Sequence, residues 1–285
     1  MNYTVFVDGE FLVRDEHFIG SLTPGVFEGR GVFETILVDH GHVCLLERHL
    51  KRFRQGLKVS NIRCPHSNQE IQSIAQRILT FNQFKNARLR IMAYQQNGAF
   101  GLAVMALPRT VFSEQDYFHG YRVTTARCPG RPVKYQFVKS LDYAQYYKAF
   151  HKAKDKGFHE ALLVNPKGFV FEGSRSNVFY FKKGTLYTPS LVLGCLNGIT
   201  RQLIIECARE MKISVKTIKP KLQDLLAADE VFLTNAIIGV MPITKLDGKV
   251  IQSGRVGDKT YQIRSRYLKK FIIAKSALNP LTAGV

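Results

Sequence analysis

The chain has 285 residues, 45% of them hydrophobic, 11% aromatic and 22% charged, a composition that buries a core without covalent staples, leaves room for two domains and excludes an intrinsically disordered chain. Lysine and arginine number 41 against 22 aspartate and glutamate, a net charge of +19. That field gathers anions and attracts nucleic acid non-specifically, but the bases are dispersed, densest at 48–54 and 264–275, with no pattern for specific nucleic-acid readout.

Cys44, Cys64, Cys128, Cys195 and Cys207 are odd in number and contain no C-x-x-C, which argues against a disulfide framework or a metal site and fits a reducing cytoplasm. The first residues read as a strand and turn rather than a secretory leader, and no apolar run reaches membrane-spanning length.

Residues 3–7 and 10–14 alternate as strands about Asp8-Gly9, a hairpin signal. Ser21-Leu-Thr-Pro-Gly breaks the pattern, and 32–38 with 42–45 form a second strand pair. Leu46, Leu50, Phe53 and Leu57 give one apolar helical face, and Ser67 with Glu70 makes a capping box before Ile71, Ile74, Ile78 and Leu79. Strands at 88–94 and 100–106 flank an Asn97-Gly98 turn. Hairpins and two helices make this half an α+β layered arrangement.

The stretch 108–120 reads as the connection between domains, giving a first domain of 1–117 and a second of 118–285. A strand at 121–126 precedes the Lys139 segment, and Asp142 caps a helix reaching about Lys156. Strands follow at 160–164, 168–171, 178–181 and 185–188, then a helix from Asn197-Gly198, a strand at 213–218, a short helical piece, a strand at 231–234, the Asp247-Gly248 hairpin and a closing helix over 256–273. No internal repeat is present.

The chemistry centres on Lys139, at the end of the apolar run Tyr-Gln-Phe-Val. Apolar neighbours strip hydration from an ammonium and make the neutral, nucleophilic amine accessible. Glu172 follows a strand-like run. A carboxylate of that kind is what a pyridine cofactor requires to keep its ring nitrogen protonated. A lysine and a glutamate at strand ends are also ordinary surface features, so the pair gains meaning from the rest of the chain.

Gly31-Val-Phe-Glu-Thr, His49-Leu-Lys-Arg-Phe, Val138-Lys-Ser, Phe158-His-Glu-Ala-Leu, Phe171-Glu-Gly-Ser-Arg-Ser-Asn, Leu186-Tyr-Thr-Pro, Asn197-Gly-Ile-Thr-Arg and Ala228-Asp-Glu-Val-Phe-Leu-Thr-Asn-Ala occur in this order. With these segments the chain resembles the pyridoxal-phosphate enzymes of fold type IV, which include branched-chain and D-amino-acid aminotransferases and aminodeoxychorismate lyase. The resemblance implies a two-domain α+β fold, with a small N-terminal α/β domain and a larger, barrel-like C-terminal α/β domain that binds cofactor. It also implies a cytoplasmic homodimer acting on a small amino substrate, with pyridoxal 5′-phosphate and no metal.

By the same resemblance Lys139 holds the cofactor aldehyde and moves the α-proton, Glu172 faces the pyridine nitrogen and Arg52 meets the phosphate. Ile199 and Thr200 offer backbone N–H groups to that phosphate, Leu196 packs on the ring, and Asn235 with Ala236 lie on a second phosphate-side loop. A helix start after Gly198 is independently suited to an anion. Thr35 and Thr234-Asn-Ala resemble the lyase branch, whose product would be 4-aminobenzoate with pyruvate from 4-amino-4-deoxychorismate, a step toward folate. Aminotransfer is the alternative, and a nucleic-acid-binding protein on a retired enzyme scaffold is a third reading carried only by the charge.

The sequence departs from the family in places. Tyr94-Gln-Gln-Asn-Gly stands where lyases have an Arg-Gly loop; Arg90 resembles a substrate-side arginine of branched-chain aminotransferases, which makes it either the partner of the substrate carboxylate or a strand-edge cation. Gly29-Arg30-Gly31 replaces Gly-Asp-Gly, and Phe33 replaces a tyrosine on the substrate side.

Overall fold

The computed structural model describes residues 1–24, 26, 27, 30–96, 98–251 and 253–276, with side chains omitted over 272–276. Asn97 of the expected turn, Gly29 of the Gly-Arg-Gly departure and Gly25 of the pattern break lie outside the described residues. The described chain divides into two compact units, one of 1–110, 137–144 and 273–276, the other of 111–136 and 145–272. The segment carrying Lys139 therefore packs with the first unit, where a division at 117/118 would assign it to the second.

The first unit is built on β1 (Asn2–Val7) and β2 (Glu10–Asp15), joined through Asp8 at φ 51° and Gly9 at φ 104°. The positive φ at both turn residues matches the twist of the flanking strands. Next comes α1 (Glu16–Ser21), a short helix the sequence reading missed, started by Asp15, which accepts from the Phe18 amide at 2.9 Å. Then follow β3 (Arg30–Asp39), β4 (His42–Val43), α2 (Leu46–Val59), α3 (Asn68–Phe81), β5 (Ala87–Gln96) and β6 (Ala99–Pro108). Leu45 is not strand; it takes φ 56° and turns the chain into α2. The Ser67–Glu70 capping box is formed as expected.

Among the described residues these strands make one antiparallel six-stranded sheet, in the order β2-β1-β6-β5-β3-β4. Alternation along β3 splits its side chains between two faces. Val32 meets α2 at Gly56, which places the even-numbered residues toward that helix. Phe33 belongs to the opposite cluster with Met92, Tyr94, Ala103, Met105, Ile19 and Leu22.

The second unit opens with α4 (Glu114–His119), inside the stretch expected to be a plain connection. Ser113 and Asp116 exchange hydrogen bonds as its capping box, so the start signal was present but short. In chain order it continues with β7 (Tyr121–Arg127), α5 (Ala144–Asp155), β8 (Glu160–Val164), β9 (Val170–Gly173), β10 (Asn177–Lys182), β11 (Thr185–Pro189), α6 (Ile199–Glu210), β12 (Val215–Ile218), α7 (Leu222–Leu226), β13 (Glu230–Asn235), β14 (Gly239–Leu246), β15 (Lys249–Val250) and α8 (Asp258–Ser276).

Among the described residues the strands of this unit make a nine-stranded sheet in the order β12-β11-β10-β13-β14-β7-β8-β9, with β15 on β14. Beyond that path β9 also lies against β10, so the sheet curls on itself, in keeping with the barrel-like expectation. Val123, Leu162, Val178, Leu233, Met241 and Ile243 are fully or almost fully buried in its core. No described helix is long and apolar enough to cross a membrane.

Candidate active site

Lys139 is positioned by strand pairing. The amide of Phe33 donates to the Lys139 carbonyl at 2.8 Å, the Leu141 amide donates to the Gly31 carbonyl at 3.0 Å, and Val32 bridges Ser140. Residues 139–141 thus zip onto the end of β3 that β4, paired only with Val38 and Asp39, leaves uncovered. α5 begins at Ala144, two residues after Asp142, the cap expected from the sequence. Gly31 is required here: a Cβ would lie 2.5 Å from Leu141 Cδ1 and against the Ala93 carbonyl.

The Lys139 ammonium sits 4.5 Å from the Phe33 ring centroid and 5.7 Å from that of Tyr143, and these rings meet edge to face at 5.6 Å. The half-buried amine is therefore bounded by the rings of Phe33 and Tyr143, neither of which belongs to the apolar run before it. Register fixes the neighbours: Phe33 lies opposite Met92 and Thr35 opposite Arg90. Directly opposed residues share a face. Phe33, Thr35, Arg90 and Lys139 are thereby gathered on one face of the first unit, and Arg90 Nη1 reaches Thr23 Oγ1 at 3.4 Å.

Arg52 is placed differently from a residue waiting for an anion. It is buried on α2, and its Nε and Nη2 donate to Glu34 Oε1 and Oε2 at 2.8 and 2.6 Å. His49 Nδ1 meets Glu34 Oε2 at 2.7 Å. Burial pushes the Glu34 carboxyl up, but the Arg52 charge and the hydrogen bonds from His49 and Arg52 outweigh it and hold the value down to about 2. Burial lowers His49 against the pull of Glu34, so the imidazole is neutral. An ionised carboxylate only accepts, so the Nδ1 carries the hydrogen. Glu34 and His49 both lie in family-like segments, yet sequence reading gave neither a role; the signal was the helical i, i+3 spacing of His49 and Arg52 opposite an inward residue of β3.

In the second unit Glu172 is 3% exposed on β9. Arg131 Nη2 donates to its Oε1 at 3.2 Å and the Leu196 amide to its Oε2 at 2.8 Å. The Arg131 guanidinium lies 4.9 Å from the Tyr146 ring centroid, with Nε 3.4 Å from the phenol oxygen. Sequence reading missed Arg131, because it lies in a loop whose path is set by Gly194 at φ 86°, where any Cβ would strike the Arg131 backbone. Burial next to Glu172 pushes the Cys195 thiol up to about 12, which leaves it an inert neighbour.

The turn after Glu172 is held by Glu160, buried on β8. It accepts from the Ala161 amide at 2.9 Å, the Arg175 amide and Ser176 Oγ at 3.2 Å each, and Ser174 Oγ. Burial raises its carboxyl above the ordinary range, and these hydrogen bonds oppose the rise without reversing it. The network delivers Asn177 to β10, where its Nδ2 donates to the Leu196 carbonyl at 2.8 Å.

Gly198 is the N-cap of α6 and supplies no side-chain cap, so the amides of Ile199 and Thr200 lead a helix start open to an anion. A Cβ on Gly198 would strike Asn177 Oδ1. Asn177 is opposed on β13 by Thr234, whose buried hydroxyl has no hydrogen-bond partner among the described residues. An orphaned hydroxyl beside open helix amides fits a phosphate oxygen, which would satisfy both. Asn235 tightens the adjoining loop, accepting from the Ile237 and Ile238 amides at 2.8 and 2.9 Å and donating to the Arg175 carbonyl at 3.0 Å, with Ala236 inside that turn. Leu196, Ile199, Thr200, Asn235, Ala236 and Glu172 all lie in the second unit.

The family model of the amino-transferase class IV enzymes matches residues 31–246. A Methanocaldococcus jannaschii protein provisionally named branched-chain-amino-acid aminotransferase is 30% identical over 273 residues, covering 92% of this chain and 94% of that one. Aminodeoxychorismate lyase of Bacillus subtilis is 28% identical over 281 residues, covering 93% and 94%. The crystal structure of the branched-chain aminotransferase from the archaeon Thermoproteus uzoniensis with norvaline shares the fold, with a TM-score of 0.81 at 26% identity, covering 97% of this chain and 97% of that one.

Proposed function

The chain belongs to the amino-transferase class IV family, and from that premise we propose that it is a pyridoxal-phosphate enzyme that cleaves 4-amino-4-deoxychorismate to 4-aminobenzoate and pyruvate. The observation that carries the reading is the placement of Lys139 against the Phe33 ring, on the sheet face where Thr35 stands opposite Arg90. When bound, the cofactor supplies an electron sink for the carbon bearing the substrate amine.

The residues fit that group. Lys139 would hold the cofactor aldehyde and move protons at the substrate carbon, with its half-buried amine against the Phe33 and Tyr143 rings. Glu172, fixed by Arg131 and the Leu196 amide, presents its carboxylate to the pyridine nitrogen. The Ile199 and Thr200 amides, Thr234 and the Asn235–Ala236 turn would hold the phosphate, and Leu196 would supply an apolar contact to the ring. Arg52, expected from the family resemblance to meet the phosphate, keeps its fork on Glu34. Thr35 and Arg90 hold a substrate carboxylate.

Amino transfer is the second reading, favoured by the name of the 30%-identical relative. Purified protein supplied with aminodeoxychorismate separates the two. Release of pyruvate with 4-aminobenzoate supports elimination; conversion of branched-chain or D-amino acids only with 2-oxoglutarate supports transfer. Lys139→Ala abolishes the visible absorbance of the lysine-linked cofactor and turnover in either case, and retained turnover ends both. A homodimer and a cytoplasmic setting belong to the same proposal, the latter supported by five free cysteines, the former testable by sedimentation.

A further inference from the structure

Five titratable side chains of the second unit lie within the field of Glu172: Arg131 on the loop after β7, Cys128 just ahead of it, Tyr146 of α5, Cys195 before α6 and Arg201 in its first turn. Burial, with the Glu172 charge adding to it, pushes the Tyr146 phenol and the Cys128 thiol above their ordinary values and the Cys195 thiol up to about 12. All three are uncharged at neutral pH. Of the five, the two guanidinium groups carry charge. Arg131 Nη2 donates to Glu172 Oε1 at 3.2 Å. Arg201 is 4% exposed. Among the described residues its hydrogen bonds go to Asn197 Oδ1 and the Pro189 carbonyl, at 3.2 and 3.3 Å, and its buried Nε makes none. Burial disfavours that cation, and Glu172 is the carboxylate that opposes the penalty. The Arg131 fork is pinned as well: its guanidinium lies 4.9 Å from the Tyr146 ring centroid, and Gly194 closes on its backbone so tightly that no Cβ fits.

A carboxylate that serves two cations has less of its charge left for a third. A protonated ring nitrogen facing Glu172 is that third cation, and a like charge brought near a titrating group disfavours its protonated form, by about one pH unit or more at close range. We propose that Arg131 is a positioning residue that, by drawing on the charge of Glu172, loosens the hold of that acid on the proton of the cofactor's ring nitrogen. The inference rests on the reading of Glu172 as the acid that faces the ring, and deepens it: the chain sets the strength of the electron sink below what a lone carboxylate would give. A neutral donor in place of Arg131 would leave the full carboxylate charge to the ring. A purely structural role for Arg131 predicts the opposite sign, because a carboxylate that swings away leaves the ring nitrogen without its acid.

The probe is pyridoxal 5′-phosphate isotopically labelled at the ring nitrogen and loaded into the holoenzyme, whose nitrogen NMR shift is followed against pH. Arg131→Gln keeps a hydrogen-bond donor and removes the charge, so the pH at which the ring nitrogen gives up its proton rises by at least about one unit over the wild type. Arg131→Lys restores the charge and brings the midpoint back to within about half a unit. A midpoint in Arg131→Gln that is unchanged or lower overturns the inference, while the lysine-linked absorbance leaves the functional reading standing. Should Arg131→Gln fail to fold or to load, Arg131→Lys decides in its place: a midpoint within about half a unit of wild type supports the inference, and a displacement of about one unit either way overturns it. Failure of the wild-type chain to take up pyridoxal phosphate removes the functional reading and this inference with it.

Discussion

Replacing Glu34 by glutamine tests how the first unit pays for two buried basic side chains. Glu34 is 1% exposed, His49 2% and Arg52 8%, so little solvent screens the cluster. Its carboxyl falls from an ordinary 4.5 to about 2, and at 1.36 kcal/mol per unit the ionised form contributes about 3 kcal/mol. The independent figure for removing one partner of a buried ion pair is about 3–5 kcal/mol. Glu34→Gln therefore lowers stability at pH 7 by about 3 kcal/mol, a fall in apparent Tm on the order of 6–12 °C.

The pH dependence has a definite sign. A carboxyl with a depressed folded value binds fewer protons folded than unfolded, so its contribution is present above the unfolded value of 4.5 and is lost as pH falls toward 2. Neutral buried His49 adds acid lability that begins below its ordinary 6.5. Urea unfolding followed from pH 7 to pH 3 then shows the wild-type and Glu34→Gln curves converging below 4.5. A variant within about 0.5 kcal/mol of wild type at pH 7, or a gap that stays constant below 4.5, refutes the assignment.

Gly31→Ala forces a methyl against Leu141 and the Ala93 carbonyl and costs about 1–3 kcal/mol, with slowed cofactor uptake because residues 139–141 lose their pairing; thermal unfolding and absorbance check both. Thr234→Val removes an orphaned buried hydroxyl, so the apoprotein gains about 1 kcal/mol while cofactor affinity falls roughly tenfold; a change of the same sign in both counts against the phosphate assignment. Glu160 has a raised folded value, so its contribution is complete below the unfolded 4.5 and is lost as pH rises from there through the raised folded value. Glu160→Gln mimics the protonated form and unfolds with a flatter pH profile over that window; identical profiles for variant and wild type would contradict it.

The local elements were legible because their signals are local. Alternation, Asp8-Gly9 and Asp247-Gly248 marked the hairpins, whose turn residues take positive φ as such turns require. Helical periodicity with the Ser67–Glu70 box marked α2 and α3. Short helices α1 and α4 escaped because a single turn carries too few apolar positions to show a period. Ordered motifs were enough to name Lys139, Glu172 and the start of α6 as candidates and to point to the family.

What the linear chain left undecided is who stands beside whom. Glu34 as the partner of Arg52, Arg131 as the partner of Glu172, and Thr35 opposite Arg90 depend on strand register and on loops steered by Gly31 and Gly194. A single-residue slip in that register would send every one of the β3 side chains to the opposite face. Residue types set the available chemistry; long-range pairing alone set the direction in which Lys139 and its neighbours point, because the free energy that fixes register comes from burial across the sheet and not from the sequence near the lysine.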